Sequence, residues 1–141
     1  MKYIYNDGGR KTAGYQGSAG DCVIRAISIA TSKPYQQVYD DLFAMNKNDS
    51  RIGGKSPRNG KTSKKTIREY LEKIGWKWIP AMMIGSGCRM HLNDELPMGR
   101  IIARVSKHLV AVIDHTIQDT HNPSRGGTRC VYGYYQEKLS T

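Results

Sequence analysis

The sequence predicts an α+β domain, with N-terminal helices packed on a C-terminal antiparallel β-sheet. Apolar residues recur at three- and four-residue spacing up to Ile74; from Trp76 onward they fall in short stretches rich in β-branched and aromatic residues. The 141 residues, 38% of them hydrophobic, suit one domain over 1–141 with one core.

The first twenty residues are polar and glycine-rich and read as an extended lead-in. Val23, Ile24, Ala26, Ile27 and Ala30 then mark a first helix, with Ser18 or Asp21 as the cap. Cys22 falls in, or just before, its first turn. A second helix runs from about Lys33 to Met45, with Ser32 as N-cap, Pro34 in the first turn, and Tyr35, Val38, Leu42 and Met45 on one stripe. A third runs from about Ser63 to Ile74, turning Ile67, Tyr70, Leu71 and Ile74 inward, and Gly75 supplies a left-handed cap. Trp76, Trp78 and Pro80 then alternate with Lys77 and Ile79. Arg100 to Val105, Leu109 to Ile113, Thr116 to Thr120 and Cys130 to Gln136 are the further strands. Met82, Met83, Trp76 and Trp78 are assigned to the core.

The net charge of +10 favours partners with phosphates or acidic surfaces. The first residues, Met1 to Asp7, lack the apolar stretch of a secretory signal. The longest nearly apolar run, Ile79 to Ile84, is far short of the ~20 residues that span a bilayer. Cys22, Cys88 and Cys130 are odd in number and widely spaced, which argues against a disulfide framework and for a cytoplasmic protein with free thiols.

The run Gln16-Gly17-Ser18-Ala19-Gly20-Asp21-Cys22 carries chemistry. A reactive thiolate gains from the positive end of a helix, and attack on a carbonyl needs donors aimed at the developing oxyanion. The Cys22 N–H is one donor and the Gln16 amide the other. The bland alternative is a buried cysteine at the start of an amphipathic helix. Asp21, beside the thiol, is expected to oppose ionisation.

The base comes from the second half. With Asp114-His115 as a two-residue turn, Ile113 pairs with Thr116 and Val110 with Asp119. His108, Val110 and Val112 then share a face with Ile117, Asp119 and His121. His108 and Asp119 are diagonal neighbours, so the carboxylate can orient the imidazole. His121, opposite His108, is a weaker candidate for that role.

The Gln-Gly-Ser-x-Gly-x-Cys frame and the His-x-Val-x-Val strand resemble papain-like cysteine peptidases, including bacteriocin-processing peptidases and small bacterial and phage-encoded types. The order Cys22, His108, Asp119 is similar to theirs. The resemblance covers 14–30 and 100–123. It implies a papain-like fold, Cys22 as nucleophile, His108 as base, Asp119 as orienting group and Gln16 as oxyanion amide. It implies acyl transfer on an amide or isopeptide bond of a protein or peptide, with no cofactor and no metal. No tryptophan follows Cys22, where papain relatives usually carry one.

Lys47, Arg51, Lys55, Arg58, Lys61, Lys64, Lys65 and Arg68 stand against Asp49 alone before Glu69. The run reads either as a solvated loop or as a contact for nucleic acid or an acidic protein. No aromatic interleaves it, so base stacking is poorly supported. Gly54 to Thr62 misses the phosphate-loop spacing. Cys88 and His91 lack the second close pair of a structural zinc site. The rival to an enzyme is thus a binding protein that keeps the same fold and uses this basic surface to hold nucleic acid, a nucleotide or an acidic host protein, as a phage-encoded protein would.

Overall fold

The computed structural model describes residues 1–16, 20–60, 62–83 and 85–138. The elements are β1 (Lys2–Tyr5), α1 (Cys22–Thr31), α2 (Tyr35–Lys47), α3 (Lys64–Lys73), β2 (Trp76–Pro80), β3 (Arg100–Val105), β4 (His108–Ile113), β5 (Thr116–Asp119) and β6 (Gly133–Glu137). They form an α+β fold around one six-stranded sheet of order β1-β5-β4-β3-β6-β2.

The sheet is mixed, which corrects the expectation of an antiparallel one. Four pairings are antiparallel, but β1 runs parallel to β5, with Lys2 opposite Thr116 and Tyr5 opposite Asp119. The lead-in is therefore partly a strand. Its residues are mostly exposed, so backbone pairing at a sheet edge holds it and no apolar alternation announces it.

Local signals set the helices. α1 buries Ile24, Ala26, Ile27 and Ala30 against β4 and β3, and full burial of each isoleucine contributes about 1.5–3 kcal/mol. Ser32 is no N-cap; it closes α1 in the left-handed region at φ 64°. α2 starts after Pro34, whose fixed φ suits a helix entry. At α3, Ser63 Oγ accepts from the Thr66 N–H at 3.1 Å, and Gly75 follows at φ +94°.

Both faces of the sheet are covered. Ile102, Leu109, Ala111 and Tyr135 meet the helices. Ile101, Ala103, Val105, Val110, Val112 and Ile117 meet Leu92, Leu96 and Val131 from the two long connections on the other side. A disulfide, Cys88–Cys130, joins those connections, so the expectation of free thiols holds for Cys22 alone. The partners are 42 residues apart in sequence, and the return of the chain into β6 brings their Cα atoms to 5.8 Å. Met83 is another correction: it is 66% exposed, whereas Trp76 is buried. No helix among the described residues is long and apolar enough to cross a membrane.

Candidate active site

The segment entering α1 is held from the side. Gly20 bridges Asn59 in the α2–α3 connection, and a Cβ there would lie 2.9 Å from the Gly60 nitrogen. Only glycine permits that approach. Ser18, the other proposed cap, lies outside the described residues.

Asp21 occupies the N-cap position but makes no capping bond. Its carboxylate is fully buried and accepts from Arg25 Nε at 2.9 Å, Tyr35 Oη at 2.8 Å and Arg10 Nη1 at 3.3 Å. Two guanidiniums therefore offset the charge that was expected to oppose the neighbouring thiol. That expectation is corrected.

His108 opens β4, and its partner strand follows the predicted turn. Asp114 and His115 have φ 49° and 62°, the left-handed pair a two-residue hairpin needs, and Ile113 pairs with Thr116. His108 Nε2 lies 2.6 Å from Asp119 Oδ2. The other carboxylate oxygen accepts from the Thr120 N–H at 2.7 Å and from the Arg25 guanidinium. Arg25, with a side chain only 7% exposed, thus ties the start of α1 to the end of β5. Sequence reasoning missed it. The available signal was an Asp-Arg pair at i,i+4 inside an apolar stretch, where an unpaired charge is costly.

With Nε2 committed to Asp119, Nδ1 is left for Cys22. The imidazole and the Leu109 N–H are the groups closest in effect to the sulfur. Burial pushes the Cys22 thiol up, but the hydrogen bond and charge of His108, with Leu109 and Arg25, bring it below its ordinary value. Burial pushes His108 down, yet Asp119 and Cys22 outweigh this and raise it to about 9. For Asp119, burial is opposed by His108, Arg25 and Thr120, and its pKa falls. The three groups therefore favour a thiolate beside an imidazolium.

His121 is exposed, with its ring 5.2 Å from that of His108. Ligand atoms of His108, Asp119 and His121 lie within 4.8 Å of one another. The donor types suit zinc, but Asp119 already pairs with Arg25 and His108 holds its proton, so the set fits a metal poorly.

Gln16 is exposed and lines an open groove of about 460 Å³ with Tyr5, Arg10 and Tyr15. It makes no hydrogen bond to Cys22 or His108, so the structure brings together three of the four proposed residues. Much of the basic run is internally paired: Arg58 donates to Tyr35 and lies over Tyr15, Arg51 meets Asp49, Lys65 meets Glu69 and Arg68 meets Glu72. Lys61 lies outside the described residues.

The chain matches no family model, no curated protein and no solved structure.

Proposed function

We propose that this chain is a cysteine-dependent acyl-transfer enzyme of papain-like type, acting on an amide or isopeptide bond of a protein or peptide. The observation that carries the reading is one imidazole placed between a depressed thiol and a buried carboxylate. The lowered thiol and the raised imidazole are one interaction seen from both partners, and it favours the ionised nucleophile that acyl transfer needs.

In this reading the Cys22 thiolate attacks the carbonyl carbon, forming a C–S bond as the carbonyl electron pair moves to oxygen. The Cys22 N–H at the start of α1 stabilises that oxyanion, a donor of this kind adding about 10²–10³ in rate, and the Gln16 amide is the second donor only if its exposed segment moves onto the thiol. His108 protonates the leaving nitrogen and the C–N bond breaks. The imidazole then takes a proton from water as its oxygen attacks the thioester; the C–S bond breaks, the acyl group leaves as a carboxylic acid, and the thiolate is restored beside the imidazolium. Asp119 orients the imidazole, and Arg25 positions Asp119.

The test is alkylation of Cys22 by iodoacetamide near neutral pH, with the site mapped by mass spectrometry. Reaction well above that of an ordinary thiol, and lost in His108→Ala, is expected. A rate no faster than a free thiol's would sink the enzyme reading. Steeply salt-dependent nucleic-acid binding through residues 47–68, indifferent to Cys22→Ala, would favour the binding protein instead.

A further inference from the structure

Beside the thiol lies a second feature that the acyl-transfer chemistry leaves unused. Arg104 pairs with Leu109 across β3 and β4, and Leu109 is the residue whose N–H faces the Cys22 sulfur. Arg104 shares the helix-facing side of β3 with Ile102. It lines a groove of about 290 Å³ together with Lys64 at the start of α3, Lys107 and Ser106 in the β3–β4 turn, Val105 and Tyr132. Among the described residues three cations line it and no carboxylate does.

Arg104 differs from the other partly or fully buried arginines of the described residues in that its side chain makes no hydrogen bond or ion pair. Arg25 meets two carboxylates, Arg10 meets one, and Arg129, although its Nε is also unpartnered, donates to the Pro123 and Ser106 carbonyls. Arg104 Nη2 is buried with no hydrogen-bond partner among the described residues. A buried guanidinium donor without an acceptor is costly, and a planar fork is the geometry that recognises a carboxylate. Burial lowers its pKa, in keeping with a cation whose partner comes from outside the chain.

We infer that this groove is a substrate subsite that holds a carboxylate of the peptide next to the scissile bond, with Arg104 as the half-buried fork and Lys107 and Lys64 at the rim. The inference rests on the acyl-transfer reading and names its substrate class: acyl donors with an acidic side chain, or a chain-terminal carboxylate, at the reacting bond. Specificity follows because a neutral isostere leaves the Arg104 donors unpaired.

The test compares two alkylating agents of similar size, anionic iodoacetate and neutral iodoacetamide, on the full chain. The His108 imidazolium also attracts an anion, so the diagnostic is how the iodoacetate-to-iodoacetamide rate ratio changes between variants. Arg104→Gln should lower the ratio about tenfold or more, the loss expected for a buried charge-assisted contact. Lys107→Asn, which keeps a residue tolerant of the left-handed backbone at φ 56°, should lower it about twofold to threefold as a rim charge. Arg51→Gln, in the α2–α3 connection, removes the same net charge and should leave the ratio unchanged. An unchanged ratio in folded Arg104→Gln overturns the inference; should that variant not fold, Lys107→Asn decides in the same way. Protection of Cys22 by N-acetylglutamate α-amide would assign an acidic side chain, and protection by N-acetylglycine a terminal carboxylate. Protection by neither means that the groove takes no peptide carboxylate. Failure of Cys22 to react with either reagent sinks the acyl-transfer reading, whereas brisk reaction with no Arg104 dependence sinks only the subsite.

Discussion

Cys22 is set by its neighbours more than by its place on α1. Burial alone would raise the thiol, and the imidazole contact, helped by the Leu109 N–H and Arg25, reverses that sign. Removing the imidazole as His108→Ala should therefore restore an ordinary thiol. Iodoacetamide reaction at about pH 6.5 should fall, since the thiolate fraction there changes about tenfold for each unit of pKa. An ultraviolet thiolate titration reads the same shift directly. Asp119→Asn removes the largest group holding the imidazole proton, so His108 should titrate well below about 9 and move toward 6.5. Histidine NMR checks this. A His108 titration unmoved by the change would remove Asp119 from its orienting role.

The joint between α1 and the β4–β5 hairpin is electrostatic as well as apolar. Arg25 stands between two buried carboxylates, so Arg25→Met should leave both without their shared cation. A loss of about 3–5 kcal/mol is expected, read by urea unfolding. The hairpin pair also has a defined pH window. His108, raised to about 9 from 6.5, contributes stability that is fully present below 6.5 and lost as pH rises through about 9. Asp119, lowered from 3.8, contributes stability present above 3.8 and lost as pH falls through its depressed value. The stability difference between wild type and a His108→Ala, Asp119→Ala double variant should be greatest between those limits and shrink on both sides. A difference that does not vary with pH would contradict the assigned shifts.

At the scale of the molecule, the sheet separates two stapled regions. Cys22 belongs to the helix face, and the Cys88–Cys130 disulfide ties the connections over the opposite face. Closing a loop of 42 residues' separation is worth about 4 kcal/mol in the chain-entropy description. Reduction should lower the thermal midpoint, and Cys88→Ser with Cys130→Ser should lower it equally. Thiol counting in denaturant should find one free thiol without reductant and three after reduction, with Cys22 reactivity retained in the double serine variant. Three thiols in the unreduced protein would rule the bridge out.

The features legible in the residues are those whose physics is local. Helical spacing marks α1, α2 and α3 because each buries one stripe, and Asp114-His115 sets the hairpin register because a two-residue turn admits few geometries. That register was enough to put His108 beside Asp119. Folding alone decided the rest: β1 at the sheet edge, Arg25 between Asp21 and Asp119, Cys88 against Cys130, and Arg104 Nη2 without an acceptor among the described residues. Each depends on residues far apart in the chain meeting in space, and such meetings leave no period, cap or turn in the sequence from which they can be read.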